Sequence, residues 1–287
     1  MSWEAMVGFP RQLGARMISN WRIFFYWNRG HKQAPMPGLG TVALFLLLAA
    51  LDIAIAGWLL DAGAASFVAA QSEGVLAFFE VITRYGKADW ILIPALLIVG
   101  VGAAADWRRC RQRDAAAWAE ILAFAAAIFL VVAASGLLTD LLKVLVGRMR
   151  PHHAEGFLDF APLTFGGYRN YSFPSGHATV ISAVGTVFAF GPRWFRVPAL
   201  IAVLAIAGSR VMVNAHYPSD VVAGLIVGGT MSFLIIRALA YVGYGFRRDT
   251  MSGAISWRFG VLGRLVRRNP LCAAVRLTRA LARALRP

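Results

Sequence analysis

The stretch that decides the fold is Ala116–Leu138, AAWAEILAFAAAIFLVVAASGLL, in which Glu120 is the single charged residue. An apolar run of about 20 residues crosses the hydrocarbon core of a bilayer as an α-helix. The whole chain has the same character, because 59% of its 287 residues are hydrophobic and its mean hydropathy is +0.62. Ordinary soluble domains contain about 45–50% apolar residues. The sequence therefore predicts an integral membrane protein.

Outward from this run, the chain contains six predicted spans, of which the second and the fourth are short. They are Leu39–Leu60, Trp90–Ala105, Ala116–Leu138, Pro174–Phe190, Phe195–Val213 and Val221–Val242. The segment Ser66–Tyr85 is too polar to cross and is predicted to form a helix in the outer interface. The predicted fold class is an all-α integral membrane protein, a six-transmembrane-helix bundle with interfacial helices.

Three domains follow from these spans. Residues 1–38 form a cytoplasmic or interfacial N-terminal segment, residues 39–242 the six-helix membrane domain, and residues 243–287 a basic amphipathic cytoplasmic tail. In the tail, arginines recur every three or four residues, which is typical of a helix that lies on an anionic membrane surface. A disordered basic tail is the alternative, and Pro270 marks a break in either case.

The net charge of +15 is distributed in a way that argues against a nucleic-acid partner. The basic residues concentrate before the first span, in the loop at Arg108–Arg113, between the fourth and fifth spans, and after the sixth. With six spans all these positions fall on one side, and the positive-inside rule makes that side cytoplasmic. Both termini are therefore expected inside the cell. Cys110 and Cys272 fall on the same side, where a disulfide is not expected.

Three short motifs carry chemistry on the opposite side. The first runs from Lys143 to Arg150-Pro151, the second is Pro174-Ser175-Gly176-His177, and the third is Ser209-Arg210 followed by His216-Tyr-Pro-Ser-Asp220. Lys143 and Arg150 are seven residues apart, two turns of helix, so both are expected to point at one anion. Together the motifs offer three fixed positive charges, two histidines and one carboxylate. This set is suited to holding a phosphate and breaking its ester bond.

Two local arrangements add to this expectation. Ser175 is predicted to cap the fourth helix, while the free N–H groups behind it face an anion and Gly176 lets a phosphate approach closely. Asp220 is placed in the first turn of the sixth helix and is expected to reach back to one ring nitrogen of His216. The other ring nitrogen would then present its lone pair to phosphorus.

In this order, the motifs K-x6-RP, PSGH and SR-x5-H-x3-D resemble the signature of the type 2 phosphatidic acid phosphatase superfamily, in its membrane lipid phosphatase branch. The resemblance covers roughly residues 83–239. It implies that His216 is the nucleophile that forms a phosphohistidine, that Asp220 orients it, and that His177 protonates the leaving lipid oxygen and later activates water. It further implies a set of phosphate-binding residues: Lys143, Arg150, Ser175, Gly176 and Arg210. Neither a metal nor another cofactor is expected, since the cationic side chains supply the charge.

The expected partners are the membrane and a lipid phosphate at its outer face. Phosphatidic acid, phosphatidylglycerol phosphate, undecaprenyl diphosphate and lipid A phosphates all fit, and undecaprenyl diphosphate or another bacterial envelope lipid is favoured. A non-catalytic carrier or flippase of anionic lipid phosphates is the alternative, because it too would need a basic pocket. A vanadate-holding haloperoxidase uses related motifs but fits poorly with six spans.

Five further polar residues have no assigned role. Asp52 is an intramembrane carboxylate, a type of residue that is often functional. Asp140 lies one turn before Lys143 and either steers its ammonium or faces a polar seam. Arg148, His152 and His153 lie next to the first motif in the sequence, and the signature does not assign them.

Overall fold

The computed structural model describes residues 37–154, 156–165, 167–249 and 251–285. The predicted N-terminal segment, residues 1–38, lies outside this part of the chain except for its last two residues. The chain divides into two compact units. The site unit comprises residues 37–92 and Leu130–Ile236, and the tail unit comprises Ile93–Phe129 and residues 237–285.

The described chain is mostly helical, which confirms the all-α membrane class. Its first apolar segment is α1 (Leu39–Ala56), continued through a π-helical turn at Gly57–Asp61 into α2 (Ala62–Ala69). The later helices are α3 (Glu73–Thr83), α4 (Asp89–Ala104), α5 (Gln112–Val146), α6 (Gly176–Ala189), α7 (Arg196–Met212), α8 (Pro218–Tyr241), α9 (Val261–Arg268) and α10 (Pro270–Ala284). A small antiparallel sheet pairs β1 (Phe246–Arg248) with β2 (Ile255–Trp257).

Five helical segments within the described residues are long and apolar enough to cross a membrane, by length and composition. They are Leu39–Ala69, Glu73–Ala104, Gln112–Val146, Arg193–Met212 and Pro218–Tyr241. The predicted fourth span appears as α6, which has only 14 residues. The segment predicted as one interfacial helix, Ser66–Tyr85, is divided between the end of α2 and the whole of α3.

Small residues bring the helices of the site unit together. Gly224 and Gly228, one turn apart on α8, face α6 so closely that a Cβ on Gly228 would lie 2.2 Å from the carbonyl oxygen of Thr179. Such pairs of small residues let membrane helices approach at backbone distance. Hydrogen bonds reinforce the contact, because Ser182 of α6 donates to the carbonyl of Leu225 at 2.7 Å. The starts of α6 and α8 are therefore held side by side.

The end of α5 departs from the predicted geometry. The helix stops at Val146, and Gly147 follows with φ +61°. A Cβ at this position would lie 1.8 Å from the carbonyl oxygen of Ala161, so only glycine fits. Beyond it, Arg148 forms an antiparallel bridge with Phe160. The expectation that Lys143 and Arg150 share one helical face is therefore wrong, because the chain leaves the helix between them.

The tail unit contains the predicted basic helix, in two parts. Pro270 begins α10, and the side chain of Asn269 caps it by accepting from the N–H of Cys272 at 3.0 Å. The apolar face of α10 is buried against the chain itself: Trp118 donates from its ring to the carbonyl of Leu277 at 3.0 Å. Glu120 accepts hydrogen bonds from the first N–H groups of α9. The tail is thus an ordered part of its unit.

Candidate functional site

The three motifs meet at helix ends of the site unit. The N–H of Ser175, just before α6, donates to the carbonyl of Asp220 in the first turn of α8 at 2.9 Å. Arg150 brings the first motif to the third, since its Nη1 lies 3.5 Å from Nε2 of His216. Lys143 reaches the second motif, because a Cβ on Gly176 would lie 3.4 Å from its Nζ. The sequence motifs therefore form one site.

His216 is buried, and its tautomer follows from its partner. Nδ1 lies 2.7 Å from the backbone carbonyl oxygen of Ser172, which can only accept a hydrogen bond, so Nδ1 carries the proton. Nε2 then has the free lone pair and points toward Arg150. Burial lowers the pKa of His216 to about 4, although the carboxylate of Asp220 acts in the opposite direction. The ring is therefore neutral at physiological pH, as a nucleophile must be.

Asp220 does not contact His216 in the way that the sequence predicted. Its Oδ2 is 3.7 Å from Nδ1 of His216, and the direct hydrogen bond of that nitrogen goes to the Ser172 carbonyl instead. Oδ2 accepts from the hydroxyl of Ser172 and from the N–H of Tyr217, the latter at 3.0 Å. Asp220 thus fixes both the residue that holds the histidine and the backbone beside it. Its orienting effect on His216 is indirect.

Arg148, to which the sequence assigned no role, is the centre of a buried network. Its Nη1 donates to Asp220 Oδ1 and to Ser219 Oγ, both at 2.7 Å, and its Nη2 donates to Asp61 Oδ2 at 2.7 Å. Arg148 and Asp61 are each 3% exposed. Its guanidinium also lies over the ring of Tyr217, 4.1 Å from the centroid. Both terminal nitrogens of Arg148 are occupied by protein partners, and its Nε has none among the described residues, so the side chain is committed to holding Asp220 in place.

Asp61 was missed by sequence reasoning. It ends the π-helical turn after α1, and its carboxylate accepts from the backbone N–H of Ser219 at 3.0 Å as well as from the Ser219 hydroxyl. Gly57 lies beside this contact, and a Cβ there would meet the Ser219 Cβ at 3.7 Å, an ordinary van der Waals distance. A carboxylate at the N-terminal turn of α8 also offsets the helix dipole. No local pattern marks Asp61, because its partners are more than 80 residues away.

Arg150 is buried and held by backbone carbonyls. Its Nε donates to the carbonyl of Tyr168 at 2.8 Å, and its Nη1 donates to the carbonyl of Ala215 at 3.1 Å. The ring of Tyr168 lies beneath the guanidinium, 3.9 Å from Cζ to centroid. Burial lowers the pKa of Arg150 from its ordinary value, but a guanidinium stays charged. The side chain is fixed beside Nε2 of His216.

The second motif supplies an unpartnered hydroxyl. Ser175 occupies the N-cap position of α6, but its side chain makes no capping hydrogen bond, contrary to the prediction. Its Oγ is buried and has no hydrogen-bond partner among the described residues. Buried hydroxyls are normally paired, so one left free at a helix start is available to an anion. Lys143 approaches the same point and is steered by Asp140, whose Oδ1 lies 2.8 Å from its Nζ.

His177 and Arg210 lie beside these groups. Arg210 is buried at the end of α7 and donates to the hydroxyl of Thr83 on α3, while its Nε has no partner within the described chain. His177 lies in the first turn of α6 against Gly86, where a Cβ would meet the ring at 2.7 Å. The cationic side chains of Arg210, Arg150 and Lys87 lie near its ring. Lys87, in the turn after α3, is a further cation that the motifs did not reveal.

The remaining polar residues are placed apart from this chemistry. Asp52 is exposed on α1, and His152 and His153 are exposed in the loop after Arg150. His152 contacts the carbonyl of Asn214 through Nδ1 at 3.1 Å, and the two histidine rings lie 4.2 Å apart. In the part of the chain that the structure describes, no three His, Cys, Asp or Glu side chains group in a way that could hold a metal ion.

Comparison with known proteins identifies the family. Residues 124–244 match the PAP2 superfamily. The chain is 35% identical over 214 residues to the lipid A 1-phosphatase of Rhizobium etli, which covers 74% of this chain and 90% of that protein. It is 28% identical over 170 residues to the undecaprenyl-diphosphatase of Sulfolobus acidocaldarius, which covers 58% of this chain and 71% of that protein.

A solved structure also resembles it, that of a transmembrane PAP2-type phosphatidylglycerolphosphate phosphatase from Bacillus subtilis. The superposition covers 69% of this chain and 92% of the Bacillus subtilis chain, at 25% identity and a TM-score of 0.46. The apolar helices and the matched relatives define the class of protein, an integral membrane enzyme. The chain belongs to the PAP2 superfamily, and it is a lipid phosphatase. The resemblance seen in the motifs is confirmed.

Proposed function

We propose that the protein hydrolyses a phosphomonoester or diphosphate of a bacterial envelope lipid through a phosphohistidine intermediate, without a metal ion. The observation that carries the proposal is the state of His216, a buried neutral ring whose Nδ1 donates to the Ser172 carbonyl. Its Nε2 lone pair lies beside the Arg150 guanidinium. This is the arrangement that an in-line attack on phosphorus requires.

In the first step, Nε2 of His216 attacks phosphorus as the bond from phosphorus to the lipid oxygen breaks. His177 donates a proton to that oxygen, so the lipid leaves as an alcohol, or as a monophosphate when the substrate is a diphosphate. Arg150, Arg210 and Lys143 neutralise the equatorial oxygens, and the Ser175 hydroxyl and the Gly176 N–H donate to them. The network of Arg148 and Asp61, which holds Asp220 in place, keeps the His216 ring oriented toward phosphorus during the reaction.

In the second step, water attacks the phosphohistidine and the bond from nitrogen to phosphorus breaks. His177, now neutral, takes a proton from the water, and inorganic phosphate leaves. His216 returns to its neutral form, with Nδ1 still protonated and donating to the Ser172 carbonyl. Protons balance over the two steps, and no metal or redox partner is needed.

For the substrate, we propose lipid A 1-phosphate first and undecaprenyl diphosphate second. The lipid A 1-phosphatase of Rhizobium etli is 35% identical to this chain, and the undecaprenyl-diphosphatase of Sulfolobus acidocaldarius is 28% identical. Lipid A 1-phosphate and undecaprenyl diphosphate are both anionic envelope lipids with a phosphate at the membrane interface. A panel of these two with phosphatidic acid and phosphatidylglycerol phosphate, scored by kcat/KM for phosphate release, ranks the candidates.

Release of inorganic phosphate also separates an enzyme from a carrier. Purified protein in detergent, supplied with lipid A 1-phosphate, should release phosphate catalytically over many turnovers. A carrier or flippase would bind the lipid and release none. Absence of turnover on all four lipids, with binding retained, would refute the proposal in favour of a carrier.

We also propose the predicted topology, with six spans that include the short α6, the site facing the periplasm and the termini in the cytoplasm. The proposal includes the predicted domain division at residues 38 and 242. The support for the orientation is the charge pattern of the loops. A reporter at Arg108–Arg113 should be cytoplasmic, and one inserted between residues 156 and 165 should be external. The opposite accessibility in intact cells would overturn this orientation.

A further inference from the structure

A groove of about 720 Å³ lies in the tail unit, where α10 meets the turn before α5. Four of its lining residues are arginines: Arg111, Arg276, Arg279 and Arg283. One carboxylate, that of Asp114, also lines it, so the groove carries a net charge of +3. None of these residues belongs to a catalytic motif. A concave, strongly cationic surface of this size has to be explained separately from the phosphatase site.

The arginines are arranged around one fixed member. Asp114 is buried and accepts from Nε of Arg276, which anchors that guanidinium at the base of the groove. Arg279 and Arg283 follow Arg276 by one and two turns on the same side of α10. Arg111, Arg279 and Arg283 are exposed, and no ion pair joins them to a carboxylate within the described residues. They are therefore available to an external anion.

The rest of the lining is apolar. Leu271 is 78% exposed and Val275 is 50% exposed, and both lie in the groove beside the arginines. Free phosphate or a nucleotide would leave these side chains in water. An anionic lipid would use both surfaces, because its phosphate binds guanidinium groups while the beginning of its acyl chains covers the leucine and valine.

We propose that this groove binds the phosphate headgroup of an anionic phospholipid, such as phosphatidylglycerol, in the leaflet that the tail faces. Under the proposed topology this is the cytoplasmic leaflet. The site is distinct from the catalytic one and ties the tail unit to the membrane surface. Its ligand is a structural lipid and is not hydrolysed there.

Native mass spectrometry of the full chain in detergent tests this by titration with phosphatidylglycerol and phosphatidylcholine of equal chain length. The groove variant is Arg111→Gln/Arg279→Gln/Arg283→Gln, which spares the Arg276–Asp114 pair. The matched control is Arg264→Gln/Arg267→Gln/Arg268→Gln on α9, which removes the same charge from exposed positions outside the lining. We expect the groove variant to lose phosphatidylglycerol affinity by about tenfold to a hundredfold, and the control by less than about twofold.

Cys272 provides a footprint of the same groove, since it is exposed and lines it, whereas Cys110 does not. Phosphatidylglycerol should slow alkylation of Cys272 several-fold relative to Cys110, as read by peptide mapping, and phosphatidylcholine should not. Hydrolysis of a soluble aryl phosphate should be unchanged in both variants. Equal loss of lipid by both variants, or no loss by either, would overturn the proposal. Protection of Cys272 by millimolar inorganic phosphate alone would assign the groove to free phosphate instead.

Discussion

The two units of the protein use arginine in opposite ways. In the site unit Arg148, Arg150 and Arg210 are buried, and each donates to a carboxylate, carbonyl or hydroxyl oxygen of the protein, while Nε of Arg148 and of Arg210 has no partner among the described residues. In the tail unit most of the described arginines are exposed, including five on α9 and α10: Arg264, Arg267, Arg268, Arg279 and Arg283. A buried guanidinium without partners would be very costly, so each one in the site unit has a fixed direction. An exposed guanidinium acts mainly through its charge.

Arginines of the two units should therefore differ in how well the protein tolerates their substitution. In the site unit, function depends on geometry, and loss of one partner leaves a desolvated charge. In the tail unit, the proposed groove arginines are exposed and act through their charge, so one substitution there should remove about 1 kcal/mol of attraction to an anionic lipid. Substitutions should therefore have large, position-specific effects in the first unit and small, additive effects in the second.

The largest effect is expected at the nucleophile. His216→Ala should abolish turnover and the covalent phosphoenzyme, with a loss of several orders of magnitude, because it removes the Nε2 lone pair that lies beside the Arg150 guanidinium. His177→Ala should keep substrate binding and lose leaving-group protonation. An aryl phosphate, whose leaving group needs no acid, should partly rescue the first step in His177→Ala alone. Rapid quenching should trap acid-labile phosphoprotein in that variant, and equal rescue of both would mean that the roles are misassigned.

The second-largest effect is expected from removal of Asp61, one of the two carboxylates paired with Arg148. Asp61→Ala removes one of the two carboxylates paired with the buried Arg148 and leaves the N–H of Ser219 at the start of α8 without its acceptor, so we expect a loss of about 3–5 kcal/mol in unfolding free energy and a lower kcat. Asp52→Ala is the matched control, an exposed carboxylate nine residues earlier, and should change stability by less than about 0.5 kcal/mol. Denaturation in detergent measures both. A similar cost for the two variants would show that burial of the Asp61 pair contributes little.

Gly147→Ala tests whether the turn after α5 positions Arg150. The residue has φ +61° and an alanine Cβ would collide with the Ala161 carbonyl, so we expect a cost above about 2 kcal/mol and weaker substrate binding. Gly136→Ala is the control, since a Cβ there meets nothing within 4 Å. It should stabilise the helix by up to about 1 kcal/mol. The prediction fails if KM is unchanged in Gly147→Ala.

The pH dependence of the nucleophile should be unusual for a histidine. Because burial lowers the pKa of His216 to about 4, the neutral form that attacks persists down to that pH. The acidic limb of kcat/KM should therefore fall well below pH 6.5, as activity is lost only when Nε2 is protonated. Measurement with a substrate that does not titrate in this range decides it. An acidic limb at 6.5 would show that the ring is hydrated in the free enzyme.

The smallest effect is expected from chelation. With three cationic side chains to bind the phosphate, hydrolysis should continue at an unchanged rate in EDTA. Vanadate should inhibit, because its trigonal-bipyramidal adduct with His216 resembles the transition state. Loss of activity in EDTA that magnesium restores would contradict the proposed mechanism.

Much of the site could be predicted from the sequence, because its motifs lie at helix ends and helix ends are marked locally. Pro218 begins α8, with Asp220 in its first turn and His216 before it, as expected. The indirect role of Asp220 could not be predicted, because the carbonyl that binds Nδ1 of His216 belongs to Ser172, in a loop 44 residues before the histidine. Nor could the separation of Lys143 from Arg150 be predicted, since Gly147 ends the helix through contact with Ala161.

By itself, the sequence determined the membrane class, the helical content and the identity of the phosphate-binding and catalytic candidates. These follow from composition, from apolar run length and from residue types at fixed spacing, all of which are local properties of the chain. Only the tertiary structure decided which partners each charge has. Burial makes unpaired charges costly, so the fold selected Asp61 for Arg148 and the Ser172 carbonyl for His216 from residues far apart in sequence. Long-range pairing of this kind leaves no local pattern.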